Sequence, residues 1–228
     1  MKVTILGTGI VGRTVAAGLG NLGHEVTIGT RNVESTLASE QQDAYGNPPF
    51  KVWYADHQNI KLKAFKEAAA QADLLFNCTS GQASVAVLES IGDEILNGKV
   101  LVDVANPLDF SQGMPPSLSP VNTDSLGEQI QARFANLKVV KSLNTMNTFL
   151  MVNPSMVQGD HNVFVCGNDE DAKNSVKEVL KSLGWRENLI IDLGDITNSR
   201  GTEMLLPIWL RLWGALGTAE FNFHIQTN

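Results

Sequence analysis

Residues 1–32, M-K-V-T-I-L-G-T-G-I-V-G-R-T-V-A-A-G-L-G-N-L-G-H-E-V-T-I-G-T-R-N, decide how this chain folds. Residues 3–6 form a short apolar run, the mark of a strand buried on both faces. Gly7, Gly9 and Gly12 follow at the spacing G-x-G-x-x-G. A helical pattern then begins, with Val11, Val15, Leu19 and Leu22 on one face, and it closes at Gly20 and Gly23. Residues 25–28 read as a second strand. Each glycine has a physical task in that context. Gly7 permits a tight turn, Gly9 lets the backbone approach a pyrophosphate, and Gly12 lets helix and strand pack closely. The phosphates belong at the helix N-terminus, where unpaired N–H groups and the helix dipole favour negative charge. Glycine-rich turns are common; the strand before this one and the helix and strand after it make it a dinucleotide turn.

The tip of the second strand bears on the choice of dinucleotide. An NAD site carries Asp or Glu there, accepting from the ribose 2′-hydroxyl. This chain reads Gly29-Thr30-Arg31-Asn32, and its first acid is Glu34. A guanidinium attracts a 2′-phosphate and binds it in a fork, with the Thr30 hydroxyl as a further donor. Thr30 and Arg31 therefore predict NADP(H).

The 228 residues suit one α/β domain with a modest extension: a nucleotide-binding core over residues 1–148, and residues 149–228 closing an acceptor site or forming a dimer interface. The expected fold is a Rossmann-type doubly wound, mostly parallel sheet with a small C-terminal α/β extension. A net charge of −7 without a basic run argues against nucleic acid or an anionic membrane as partner. Cys78 and Cys166 both fall in apolar runs and read as reduced core residues. Met1-Lys2 leads straight into the first strand, leaving no room for a signal peptide, so the cytoplasm is the expected compartment.

Further along, residues 33–42 suggest a short helix, and a turn-rich segment follows at 45–49. Residues 52–54 suggest a third strand or part of a loop, and 62–72 a helix. A buried strand at 73–78 stops at Thr79-Ser80-Gly81, before another helix. Ligands in a doubly wound sheet lie outside the carboxyl ends of the strands, so Thr79, Ser80 and Gly81 face a pyrophosphate or ribose, serve as a helix N-cap, or do both. The next strand, 99–104, ends in Ala105-Asn106-Pro107. Asn106 before proline is extended, either aiming its amide at the nicotinamide ribose or forming a turn with no ligand role. Residues 109–123 form a Pro-rich loop, a lid or a disordered segment. A helix at 125–134 precedes a sixth strand at 138–143, and the nicotinamide is expected near its tip, Asn144-Thr145-Met146-Asn147-Thr148. Strands are expected at 161–166, 189–193 and 220–226, with an amphipathic helix at 172–183. Residues 204–213 are apolar almost all round and are expected to be buried, in the core or against a second subunit in a homodimer; Arg211 and the short run argue against a membrane span.

No acid–base apparatus is recognisable. His24, His57, His161 and His224 have no Asp-paired or metal-ligand spacing, and neither G-x-S-x-G nor H-E-x-x-H occurs. No catalytic or metal-binding residue is singled out. Hydride transfer between two cofactors fits, because there the protein sets distance, orientation and exclusion of water. The rival readings are a reductase of a small carbonyl or imine, which needs a proton donor, and a sensor that binds NADP(H) without turnover.

The opening I-L-G-T-G-I-V-G with L-G-H-E-V-T-I-G-T-R, the A-N-P strand end, V-V-K-S-L-N-T and I-T-N-S-R-G-T-E together resemble the coenzyme F420-dependent NADP oxidoreductase family, across nearly the whole chain. That family is similar to the cytosolic domain of the STEAP metalloreductases. The resemblance implies a Rossmann domain with a small C-terminal part, and hydride transfer between NADPH and the deazaflavin coenzyme F420; with the acceptor site departing from the family pattern, the expected acceptor is coenzyme F420 or a flavin, FMN or FAD. It implies that Thr8, Gly9, Ile10 and Val11 hold the pyrophosphate and that Thr30 and Arg31 grip the 2′-phosphate. Thr79 to Gly81, Asn106 and the tip from Asn144 to Thr148, Asn144 and Thr145 first among it, match positions along the cofactor. The chain departs from the family pattern in lacking a Lys shortly after Arg31, and in a longer insert over residues 43–59 that reshapes the acceptor pocket.

Overall fold

The computed structural model describes residues 1–42 and 46–227. The start of the turn-rich segment and of the insert, residues 43–45, lies outside them. Strand β1 (Lys2–Leu6), helix α1 (Ile10–Asn21) and strand β2 (Glu25–Thr30) follow the opening pattern. β1 and β2 are parallel, from Lys2 opposite Glu25 to Leu6 opposite Gly29. A Cβ at Gly12 would lie 2.3 Å from the Gly7 carbonyl oxygen, so glycine there is what lets the helix start so close to the strand. Helix α2 (Val33–Ala38) is capped by the Asn32 side chain, which accepts from the Ser35 N–H. Helix α3 (Phe50–Ala55), strand β3 (Lys61–Ala64) and helix α4 (Phe65–Ala70) complete the first half of the sheet. The second half comprises β4 (Leu74–Asn77), α5 (Gly81–Ile91), α6 (Asp93–Leu96) and β5 (Val100–Asp103). A small hairpin of β6 (Leu108–Asp109) and β7 (Ser117–Leu118) precedes α7 (Leu126–Arg133) and β8 (Lys138–Ser142). The remaining elements are α8 (Thr148–Val152), β9 (Val163–Gly167), α9 (Glu170–Ser182), β10 (Ile190–Asp192) and α10 (Ser199–Leu216).

Eight strands form one sheet in the order β10-β9-β8-β5-β4-β1-β2-β3. From β3 to β8 all pairs are parallel, which is the doubly wound order with its reversal between β1 and β4. β9 then runs antiparallel to β8, and β10 parallel to β9. Helices cover both faces, so central strands are apolar on both sides: Leu74, Leu75 and Phe76 are all buried. One layer packs Ile5, Leu19 and Ile28 with Val140 and Val165; the other packs Leu6, Leu75 and Leu101 with Leu88 and Ile130. Each such side chain contributes about 1.5–3 kcal/mol of burial.

Several expectations need correction. Residues 52–54 are neither strand nor loop but part of α3. Their aromatics meet at helical spacing, with the Phe50 and Tyr54 rings 5.5 Å apart, and that packing overrides strand propensity. Residues 61–64 form β3, where Leu62 pairs with Ile28, so the helix expected over 62–72 is confined to α4. The open sheet edge claims that segment. The loop at 109–123 contains an ordered strand, β7. Residues 220–226 form no strand. They are pinned at Asn162 instead, whose N–H donates to the Phe223 carbonyl and whose Oδ1 accepts from the Ile225 N–H at 2.7 Å, replacing a ladder. Residues 204–213 belong to α10, which buries Leu206 and Trp209 but exposes Met204 and Ile208, so of the two expected modes of burial the core alone does not account for the whole segment. One side of the helix lies on the core; within the described chain nothing covers the other.

Candidate functional site

A cleft of about 600 Å³ opens at the carboxyl ends of β1, β4, β5 and β8, at the reversal of strand order. Ile10 and Val11 enter it from the glycine turn, Thr79, Ser80 and Gly81 from the tip of β4, Asn106 from β5 and Asn144 from β8. The opposite wall is α10, through Leu206, Trp209 and Trp213. The strand tips and the C-terminal helix thus face each other across it. Thr145 is buried beside Asn144 and does not line the cleft.

The glycine turn fits a pyrophosphate. Gly9 sits at the N-cap of α1 with φ −69° and makes no side-chain cap, and a Cβ built on it meets nothing within 4 Å. That open space lies over N–H groups that have no intrahelical partner, and the first turn of α1 carries no acid. Gly7 and Gly12 serve the fold: Gly7 has φ +118° and its Cβ would lie 2.6 Å from the Cys78 carbonyl oxygen. Arg13, which the sequence pattern does not single out, is buried behind the turn and donates to the Thr8 and Pro48 carbonyls at 2.8 and 2.7 Å. It holds the turn against the segment that leads into α3. At the tip of β2, Thr30 is buried with its hydroxyl 2.7 Å from that of Thr36. Arg31, next to Thr30, is exposed, so its guanidinium faces solvent at the tip of β2.

The other tips are tied to one another. Asn106 donates to the Asn144 carbonyl at 2.8 Å, and the Asn144 amide donates back to Asn106 Oδ1 at 3.0 Å. Leu143, at φ 64°, takes a left-handed conformation uncommon for its type, and it turns Asn144 into this pair. Gly81 has a packing role as well, since a Cβ there would meet the Asn106 carbonyl oxygen at 2.1 Å.

Beneath the tips lies a buried ion cluster. The Lys141 ammonium is 2.8 Å from Asp103 and 2.7 Å from Glu203, and it also donates to the Ala105 carbonyl at 2.5 Å. Burial works to lower the Lys141 pKa, but the two carboxylates outweigh it and hold it above the usual lysine value. One cation serving two acids leaves the cluster a charge short, and Glu203 carries the excess. Burial pushes its carboxyl upward against Lys141 and against the N–H groups of Leu126 and Gly127, which it accepts at the start of α7. The cluster pins α10 to β5 and β8. Nearby, Ser125 and Ser199 share a hydrogen bond of 2.7 Å and Arg200 pairs with Glu128, adding two more ties between α7 and α10. The signal was present in the sequence: Asp in L-V-D-V and Lys in V-V-K-S are charges inside apolar strands, and such charges need partners.

Among the described residues lining the cleft, Cys78 is the only one with an ionisable side chain, and burial, with Asp103 nearby, drives its thiol pKa far up. Among the described residues no group of three or more His, Cys, Asp or Glu could hold a metal ion, and no helix is long and apolar enough to cross a membrane.

Residues 2–107 match the family model described as NADP oxidoreductase, coenzyme F420-dependent. The crystal structure of a candidate F420-dependent NADP reductase from Arthrobacter sp. FB24 is 59% identical and superposes with a TM-score of 0.93 over 100% of both chains. The F420-dependent NADP reductase of Methanothermobacter marburgensis is 26% identical over 219 residues, covering 93% of this chain and 92% of that protein. The metalloreductase STEAP3 of Rattus norvegicus is 26% identical over 213 residues, 91% of this chain but only 38% of that protein's length.

Proposed function

The chain belongs to the coenzyme F420-dependent NADP oxidoreductase family, and from that membership we propose that it passes hydride between NADP(H) and a flavin-like acceptor, coenzyme F420 or a flavin. One observation carries the reading. The described walls of the cleft are neutral, and their one titratable group is a thiol held protonated, so the cleft suits a reaction that needs no proton donor from the protein. NADPH, when bound, supplies the hydride. The chain binds its phosphates at Gly9 and Arg31, orients its nicotinamide end among Thr79, Asn106 and Asn144, and excludes water with Leu206, Trp209 and Trp213. The exposed side of α10, with Met204, Ile208 and Leu216 spaced in steps of one or two turns, suits a second copy of the chain.

A panel of acceptors with NADPH tests the reading. Coenzyme F420 or a flavin is expected to be reduced, and stereospecifically deuterated NADPH should lose its label from one face only. The single-turnover rate should be nearly flat with pH, and removing the polar group of Asn144, Thr145 or Ser199 should slow it by less than about a hundredfold. Turnover of carbonyl compounds alone, with a pH-dependent rate, would install a carbonyl reductase in its place. Binding without any turnover would leave a sensor.

Specificity for the 2′-phosphate has its own test. Arg31→Ala should weaken NADPH by about 1–3 kcal/mol, the range for charge-assisted hydrogen bonds, and leave NADH unchanged. Equal losses of both in a binding titration would remove Arg31 from the phosphate site.

A further inference from the structure

We propose that the buried Lys141–Asp103 pair fixes the direction of the Thr79 hydroxyl, so that Thr79 meets the bound nucleotide as a hydrogen-bond acceptor and takes a donor from its nicotinamide nucleoside rather than a phosphate oxygen. The argument follows hydrogen-bond polarity outward from the cation. Lys141 only donates, and Asp103 Oδ2 accepts from it at 2.8 Å. The other carboxylate oxygen, Oδ1, is 2.8 Å from the Asn77 side chain. A carboxylate cannot donate, so the Asn77 atom facing it is the amide nitrogen, and the amide orientation is settled by its partner. That nitrogen also donates to Ser84 Oγ at 3.0 Å. Asn77 Oδ1 is thereby turned toward Thr79, whose hydroxyl donates to it at 2.6 Å, the shorter of its two buried contacts; the Ser84 hydroxyl, 3.0 Å away, is the other, and it lies inward as well. The single proton of Thr79 is spent inward. What Thr79 offers the cleft, which it lines, is a remaining oxygen lone pair and no proton.

Position selects the partner. Thr79 follows β4, and β4 lies on the far side of β1 from β2, whose tip carries Arg31. With the phosphates at the β1 turn and the 2′-phosphate toward β2, the nicotinamide half extends toward β4 and β5. A phosphate oxygen carries no proton to give Thr79; a ribose hydroxyl and a carboxamide N–H both do. The inference rests on the proposed reading that NADP(H) occupies this cleft.

The test is equilibrium binding of NADP⁺, of its nicotinic-acid analogue and of the adenosine bisphosphate half, which keeps the 2′-phosphate and a 5′-phosphate, to the wild type and two variants. Thr79→Val keeps the shape and removes the oxygen, and it should weaken NADP⁺ about tenfold, the value of one hydrogen bond, without affecting the adenosine half. Thr79→Ser should restore binding, which a purely steric role for the methyl group would not allow. An unchanged penalty with the nicotinic-acid analogue assigns the ribose hydroxyl, and a vanished one assigns the carboxamide. The relay itself is read by a double-mutant cycle with Asp103→Asn, which frees the amide chain to reverse; there the Thr79→Val penalty should shrink to less than about threefold. Equal weakening of NADP⁺ and the adenosine half would overturn the inference, because Thr79 would then be reading phosphate. No weakening of either, or strict additivity in the cycle, would also overturn it. A wild type that binds none of the three would refute the cofactor reading itself.

Discussion

A Gly9→Val variant is expected to fold like its parent and to lose NADPH by at least about a hundredfold, roughly 3 kcal/mol. The backbone there is already in a region open to any residue, with φ −69°, and an added Cβ meets no atom of the protein within 4 Å. The side chain therefore fills only the space in which a pyrophosphate would lie against the N–H groups of α1. Gly7→Ala is the contrasting control. Its Cβ would strike the Cys78 carbonyl oxygen at 2.6 Å, on a backbone at φ +118°, so that variant should lose the fold itself. Circular dichroism and a fluorescence titration of the two variants separate the roles. A folded Gly9→Val protein with normal NADPH affinity would mean that this turn does not hold a dinucleotide.

The second large effect is on stability. Lys141→Met should cost about 3–5 kcal/mol, because it leaves Asp103 and Glu203 buried without their cation. In a chain of 228 residues that is a fall in Tm of about 10 °C. Neutralising both acids in the same chain, with Asp103→Asn and Glu203→Gln, should recover much of the loss, since the cost lies in the orphaned charges. The sign with pH follows from Lys141, whose folded pKa is raised above 10.5. Its contribution is complete below that value and is lost only as pH rises through the folded pKa, so the gap between parent and Lys141→Met should persist at neutral pH and close in strong alkali. A Tm within a degree or two of the parent at neutral pH would show that the cluster does not hold α10 in place.

The first nucleotide-binding half was legible because its signals are local. Gly7, Gly9 and Gly12 are read from spacing, and the runs through Ile5 and Ile28 from apolar patterning. The tips at Thr79, Asn106 and Asn144 were reachable from one topological rule, that ligands lie outside the carboxyl ends of the strands. What was lost depends on partners distant in sequence. Leu62 sits in a weak helical pattern, and only the free edge of β2 makes it a strand. Arg13 is silent until Pro48 comes against it. Lys141 and Glu203 are 62 positions apart, and neither carries a sign of the other. What covers each side of α10 is not legible either, because composition reports how apolar a segment is and not which partner lies against each face: Leu206 and Trp209 are buried within the chain, whereas Met204 and Ile208 are exposed on it.

The reversal of β9 against β8 decides how the cleft is roofed. It sends the chain back so that α10 starts beside Lys141, deep under the sheet's carboxyl edge, and carries Trp209 and Trp213 over the strand tips. The helix is a cantilever, clamped at its base by Glu203 and Ser199 and exposed toward its end at Gly214, Ala215 and Leu216. A beam of that kind keeps its root fixed while its tip is altered. Substitutions beyond Leu206 can therefore reshape the roof of the cleft without loosening the ion cluster below, and the strand tips on the opposite wall do not have to change with them.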